Sequence, residues 1–91
     1  MKKKNFLLSV VIPAYNEADT IGKVLEAVLA VPGEKELLVV DDGSVDGTRE
    51  FLKAYDDPQV RVLFHEQNRG KGAALQTGFG EAKGDVVLIQ D

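Results

Sequence analysis

The sequence predicts an α/β fold in three layers, with a four-stranded parallel sheet of order 3-2-1-4 and helices on both faces. Apolar, mostly β-branched runs alternate with segments of helical periodicity from one end of the chain to the other. The runs are apolar almost throughout, which is typical of parallel strands that helices cover on both sides. The 91 residues contain no linker, repeat or low-complexity tract, so we expect one domain over residues 1–91.

Four apolar runs are the predicted strands, and each stops at a turn or at polar residues. They span residues 7–12, 37–40, 60–65 and 86–89. Pro13 closes the first run, and the acidic turn 41–44 stops the second. The third run carries Arg61 and His65 and is more polar than the others, so we place it at a sheet edge. At that edge we expect His65 to have a surface or packing role.

Three segments between the strands have the periodicity of amphipathic helices. Their predicted inner faces are Ile21, Val24, Leu25, Val28 and Leu29; then Phe51, Leu52 and Tyr55; then Ala74, Leu75, Gly78, Phe79 and Ala82. Asp19 or Thr20 is placed to cap the first helix, and Asp46 to cap the second. Gly78 and Gly80 in the third predict a close approach of that helix to the sheet.

Composition and charge narrow the classes of function. Fifteen acidic against eleven basic side chains give a net charge of −4, which argues against nucleic acid as the main partner. The absence of cysteine excludes disulfides, zinc–thiolate sites and thiol nucleophiles. No run approaches the ~20 apolar residues that span a bilayer, so we expect a cytoplasmic chain. The lysines at 2–4 are interpreted as a solubilising tail, with weak attraction to an anionic membrane as the alternative.

Four carboxylates fall just past predicted strand ends. They are Glu17 after the first strand, Asp41 and Asp42 after the second, and Asp91 after the fourth. Because ligands of such sheets bind where the strand order reverses, we expect a site between the ends of strands one and four. Carboxylates accept hydrogen bonds from ribose hydroxyls and base N–H groups, or ligate hard cations. Two adjacent aspartates also need a ligand, metal or donor cluster to compensate their repulsion.

Three common sites of this fold do not match the residues. The first strand–helix turn, 13–17, has no glycine, which excludes the dinucleotide fingerprint there. Lys71 is followed by Gly72 rather than by Ser or Thr, which excludes a P-loop. The third strand ends without the aspartate of a phosphorelay receiver. Phosphate binding at the turn 68–71 is a further alternative, but an edge position for strand three would place that turn away from the crevice.

A fourth pattern matches nearly the whole chain. Four blocks resemble family 2 glycosyltransferases, most closely the dolichol-phosphate mannose synthase branch: VVIPAYNE (10–17), VVDDGSVDGT (39–48), NRGKGAAL (68–75) and GDVVLIQD (84–91). The resemblance implies a GT-A fold, whose Rossmann-like half binds a nucleotide sugar. It also implies that Pro13, Ala14, Tyr15 and Glu17 line the nucleotide pocket, with the aromatic ring on the base and the acid at the base or ribose.

The same resemblance assigns roles to the other acidic positions. Asp42 reads the base, with Val40 and Asp41 beside it. Asp91 matches the first aspartate of the Asp-x-Asp metal motif, which binds ribose and a divalent ion, Mg²⁺ or Mn²⁺, under the diphosphate. We expect Asp42→Ala to weaken nucleotide binding and to leave the fold intact.

The implied activity is inverting transfer from a UDP- or GDP-sugar to a polyprenyl phosphate or another glycan acceptor, with membrane association of the full-length protein. The second aspartate of the metal motif and the acceptor half are not among residues 1–91, so we expect no transfer by this chain alone. A non-catalytic nucleotide-binding or assembly module with the same fold is the alternative. Strand 86–90 has no lysine or proline to protect its edge, which predicts self-association through it.

Overall fold

The computed structural model describes residues 6–91, in which four strands and three helices alternate. The elements are β1 (Leu8–Ala14), α1 (Ile21–Ala30), β2 (Lys35–Asp41), α2 (Thr48–Lys53), β3 (Val60–Phe64), α3 (Lys71–Glu81) and β4 (Val86–Ile89). All pairs are parallel and the sheet order is β3-β2-β1-β4, which confirms the predicted fold class. None of these helices is long and apolar enough to cross a membrane. The predicted lysine tail at 2–4 lies outside the described residues.

Strand register brings the strand ends together at one edge of the sheet. Ala14 of β1 pairs with Asp41 of β2, which in turn pairs with Phe64 of β3. On the other side of β1, Val11 pairs with Ile89 of β4. The residues that follow the strands therefore emerge side by side. This is the edge at which the sequence places its carboxylates.

Alternation along β1 divides the core between the two faces of the sheet. Val10, Ile12 and Ala14 are buried in one cluster with residues of α1, β2 and α2, namely Ile21, Leu25, Leu37, Val39 and Leu52. Val11, which is fully buried, lies on the opposite face against α3. Helices therefore cover both faces, as predicted.

α3 lies close to the sheet because Gly78 has no side chain. A Cβ atom built on Gly78 would overlap Cγ1 of Val11, whereas one on Gly80 would have no heavy atom within 4 Å. The predicted close approach is correct for Gly78 and wrong for Gly80. Phe79 is 45% exposed, so the buried stripe of α3 is narrower than predicted and consists of Ala74 and Gly78.

The start of α1 is not capped as predicted. Thr20 occupies the position before α1 without a side-chain capping hydrogen bond. Instead, the carbonyl of Glu17 accepts the N–H of Thr20 at 3.1 Å. Asp46 does stabilise the start of α2, since its Oδ1 accepts the N–H of Thr48 at 3.0 Å. The backbone turn at Glu17 thus replaces a side-chain cap at α1 and leaves that glutamate beside the end of β1.

β4 is the least covered strand of the sheet. Its side chains are Val86, Val87, Leu88 and Ile89, which are 41–51% exposed. Next to them runs a groove of about 610 Å³ between β4 and α1, whose walls include Val24, Val28 and Leu88. The strand predicted from its apolar run is present, but apolar groups are left on its surface.

Candidate functional site

A cleft of about 140 Å³ lies at the carboxyl ends of β1, β2 and β4. Its walls are formed by Pro13, Ala14, Tyr15, Glu17, Asp42, Lys71, Ala74 and Asp91. Six of these eight residues are among the eight site residues that the sequence predicts. The other two predicted residues, Val40 and Asp41, are fully buried at the end of β2 and do not line the cleft. Ala74 was not predicted, and Lys71 was considered only in the alternative of phosphate binding at the turn 68–71.

Asp42 is the buried acid of the cleft and is 3% exposed. Its Oδ1 accepts hydrogen bonds from Nδ1 of His65 and from the N–H of Arg69, both at 2.8 Å. Its Oδ2 accepts the N–H of Gly70 at 2.9 Å. Burial by itself raises the pKa of Asp42, but the hydrogen bonds from Arg69, His65 and Gly70 outweigh burial and hold that pKa below its usual value. Asp42 is therefore an ionised acceptor at neutral pH.

These hydrogen bonds are at odds with the expectation that Asp42→Ala leaves the fold intact. A truncated side chain at position 42 would leave three buried or half-buried donors without their acceptor. Unsatisfied buried donors destabilise a folded chain. The structure therefore argues that Asp42 contributes to folding as well as to the cleft.

His65 lies just beyond the end of β3 and is 6% exposed, so the predicted surface alternative is wrong and the packing alternative is correct. Its ring bridges two elements, with Nδ1 at 2.8 Å from Asp42 Oδ1 and Nε2 at 2.9 Å from Oγ1 of Thr77 in α3. The contact between His65 and Asp42 could have been predicted from the parallel register, which places the residue after β3 beside the residue after β2.

Asp41 is fully buried and has a separate set of donors. Its Oδ2 accepts the N–H of Ser44 at 3.3 Å and lies 3.5 Å from Nη1 of Arg49. The guanidinium of Arg49 also stacks over the ring of Phe64, with its Cζ 4.7 Å from the ring centroid. The two adjacent aspartates thus face different donor clusters, one of the three possibilities that the sequence left open, and among the described residues Oδ1 of Asp41 has no hydrogen-bond partner.

The loop after β1 is held to the loop after β2 by reciprocal hydrogen bonds. The N–H of Asn16 donates to Oγ of Ser44 at 2.8 Å, and the N–H of Val45 donates to Oδ1 of Asn16 at 2.9 Å. The N–H of Glu17 donates to Oγ1 of Thr48 at 2.9 Å. Asn16, Ser44 and Thr48 were not predicted as site residues, but they fix the backbone that carries the cleft wall. The side chains of Tyr15 and Glu17 remain exposed.

Lys71, the first residue of α3, meets Asp91 across the cleft, where its Nζ donates to Oδ2 of Asp91. The expectation that the turn 68–71 lies away from the crevice is therefore wrong. β3 is indeed an edge strand, but the chain that leaves it crosses β2, and α3 packs on β2 and β1. The start of α3 consequently lies at the crevice, and Lys71 adds a positive charge to it.

The cleft offers an incomplete set of metal ligands. Among residues 6–91, no three histidine, aspartate or glutamate side chains converge to hold a metal ion. Asp91 supplies one exposed carboxylate, whereas the oxygens of Asp42 are engaged by backbone and imidazole donors. These residues alone do not fit a divalent cation. Phosphate oxygens of a ligand are the further donors that such ions take in comparable sites.

Comparison with known sequences and structures agrees with this architecture. The pattern of the family described as "Glycosyl transferase family 2" matches residues 9–91. A succinoglycan biosynthesis protein, ExoO, of Rhizobium meliloti is 43% identical over 82 residues, which cover 89% of this chain and 24% of that protein. A dolichyl-phosphate beta-glucosyltransferase, ALG5C, of Trichomonas vaginalis is 37% identical over 92 residues, with coverage of 89% and 27%. The chain therefore spans about a quarter of the length of these relatives.

Two solved structures share the fold. The mannosyltransferase PcManGT of Pyrobaculum calidifontis, in complex with GDP-Man and Mn²⁺, superposes with a TM-score of 0.79 at 30% identity, over 92% of this chain and 26% of that one. TarS of S. aureus, residues 1–349 in complex with UDP, superposes with a TM-score of 0.81 at 31% identity, again over 92% and 26%.

Proposed function

Since the chain belongs to glycosyl transferase family 2, we propose that its cleft binds the nucleotide part of a sugar nucleotide. The observation that carries this proposal is the buried, ionised Asp42 in the wall of a cleft beside the exposed ring of Tyr15. A planar base can stack on such a ring, while a carboxylate accepts one of its N–H groups. Relatives in complex with GDP-Man or with UDP make guanosine and uridine diphosphates the first ligands to test.

The remaining wall residues suit the polar parts of such a ligand. Glu17 and Asp91 are exposed carboxylates that can accept hydrogen bonds from ribose hydroxyls. Lys71 places an ammonium group where it can balance a diphosphate. In the full-length enzyme we assign Mg²⁺ or Mn²⁺ to the diphosphate, with Asp91 as one of its ligands. A divalent ion held there would supply positive charge to the diphosphate leaving group.

For the full-length enzyme we propose inverting sugar transfer to a polyprenyl phosphate or a glycan. A relative named for dolichyl phosphate as acceptor supports the first of these. A polyprenyl acceptor would bring the enzyme to a membrane surface. A phosphate acceptor is ionised at neutral pH, so the attacking oxygen requires little general-base catalysis.

We expect UDP or GDP to raise the melting temperature of the chain, whereas Mn²⁺ alone should not raise it. Ligand at 100 times its Kd stabilises the native state by about 2.7 kcal/mol. Tyr15→Ala should reduce the nucleotide-induced shift, and Phe79→Ala is its matched control because both rings are 45% exposed and only Tyr15 lines the cleft. A thermal-shift panel of UDP, GDP, CDP and dTDP, with and without Mn²⁺, measures this. Absence of a shift with every nucleotide would contradict the proposed function.

We also propose that two copies of the chain associate through β4. Within residues 6–91, β4 is an end strand of the sheet, and no other strand of that part of the chain pairs with its outer edge. Its side chains are 41–51% exposed and continue into the apolar groove along α1. An unpaired strand edge beside apolar surface favours pairing with another chain, and a second copy offers the same edge.

Light scattering over a concentration series tests this association. The average mass should rise with concentration for the wild-type chain and stay at that of a monomer for Leu88→Lys, which places a charge on β4. Val45→Lys is the control, since Val45 is 85% exposed and lies in the loop before α2. It should associate like the wild type. A wild-type chain that stays monomeric throughout the series would refute the proposal.

A further inference from the structure

A chain of hydrogen bonds runs from α3 through His65 to the acid of the cleft. Asp42 is ionised and can only accept hydrogen bonds, so Nδ1 of His65 must carry the hydrogen in their 2.8 Å contact. In the neutral form of the ring that this hydrogen defines, Nε2 is an acceptor, and the hydroxyl of Thr77, at 2.9 Å, is then its donor. The contact with Asp42 places a hydrogen on Nδ1, and the two contacts together fix the plane of the imidazole.

The same geometry limits what Asp42 can still bind. A carboxylate offers about four acceptor positions, two on each oxygen. His65 and Arg69 occupy Oδ1, and Gly70 takes one position on Oδ2. One acceptor position on Oδ2 is left for a ligand. Because two of the three donors are backbone groups of one loop, His65 is the one side chain among them that sets the rotation of the carboxylate.

We propose that His65, supported by Thr77, is a positioning residue that aims the remaining acceptor of Asp42 at a ring N–H of the nucleotide base. This inference rests on the proposed nucleotide binding. The consequence of this positioning is selectivity among nucleotide bases. Uracil and guanine carry a ring N–H, whereas cytosine has an acceptor nitrogen at the equivalent position and would place two acceptors together. The His65–Asp42 pair therefore favours UDP and GDP over CDP.

Paired substitutions separate this role from simple packing. In His65→Asn the amide nitrogen lies near the place of Nδ1 and can still donate to Asp42, whereas in His65→Gln it lies near the place of Nε2. The measured quantity is the affinity for UDP or GDP, whichever binds more tightly, divided by the affinity for CDP. We expect this ratio to fall roughly tenfold in His65→Gln, as expected for a misdirected hydrogen bond to a charged group. The ratio should be largely retained in His65→Asn. Thr77→Val should lower the ratio less, and Thr77→Ser should preserve it.

Isothermal titration with UDP, GDP and CDP gives these ratios, and ¹⁵N NMR of the wild-type imidazole shows which nitrogen is protonated. An unchanged ratio in folded His65→Gln, or a hydrogen on Nε2 alone, would overturn the inference. If His65→Gln does not fold, the comparison of Thr77→Val with Thr77→Ser tests the inference. Equal affinity ratios in these two variants would overturn it. Failure of the wild-type chain to bind any of the three nucleotides would instead overturn the proposed function, while the NMR result would stand independently.

Discussion

Gly43→Ala is expected to destabilise the chain by about 2–4 kcal/mol, from left-handed backbone strain together with steric overlap. Gly43 has a φ of +79°, and a Cβ atom there would lie 2.5 Å from the backbone nitrogen of Asn68 and 2.5 Å from the carbonyl carbon of Gln67. Backbone atoms cannot rotate away as a side chain can, so the loop after β3 must move. Small domains are stable by only about 5–15 kcal/mol, which makes this loss a large part of the total.

Gly33→Ala is the matched control for Gly43→Ala. Gly33 has a φ of +118°, but a Cβ atom there would have no heavy atom within 4 Å, so this variant carries backbone strain without overlap. We expect a loss of about 1–2 kcal/mol from the strain alone. Urea denaturation of both variants measures the difference. Equal losses would show that the loop after β3 adjusts freely and that the close contact at Gly43 carries no energy.

A second consequence of Gly43→Ala lies in the cleft. The loop that would be displaced carries the N–H groups of Arg69 and Gly70, which bind Asp42. Moving those groups weakens the interactions that hold the pKa of Asp42 low. The nucleotide-induced thermal shift should therefore fall with stability in Gly43→Ala and persist in Gly33→Ala.

The strand order was predictable because it follows from the local hydrophobic pattern of the sequence and from the right-handedness of strand–helix–strand crossovers. Apolar runs separated by helical periods specify parallel strands, and right-handed crossovers leave few orders for four strands. The polar residues Arg61 and His65 then indicated which strand lies at the edge. The predicted end of the third strand was less accurate, since β3 ends at Phe64 and His65 lies outside it. Hydrophobic pattern does not distinguish the last strand residue from the first loop residue.

Most of the cleft wall was predictable because parallel register aligns strand ends. Tyr15, Asp42 and Asp91 follow β1, β2 and β4 and line one cleft. Lys71 was expected to lie away from the crevice, and this was wrong because its position depends on the path of the loop after β3. That path requires the close contact at Gly43, which joins residues distant in sequence and leaves no periodic signal.

Asp42→Asn is expected to destabilise the chain by about 2–4 kcal/mol at pH 7, because hydrogen bonds to a buried charge are lost. An asparagine side chain would present an amide NH₂ to donors that now bind a carboxylate oxygen. The pKa of Asp42 is lower in the folded chain than its usual value of 3.8. Its contribution is therefore complete well above pH 3.8 and is lost as the pH falls through the lower, folded pKa.

The difference in unfolding free energy between wild type and Asp42→Asn should accordingly be constant from pH 7 to about 5 and shrink towards pH 3. Asp19→Asn is the control, since Asp19 is exposed and lies in the loop before α1. It should show little difference at any pH. Urea denaturation at four pH values measures both variants. A difference that grows on acidification would mean that the neutral acid is the stabilised form, and the carboxylate would then be unsuited to accept a hydrogen bond from a base.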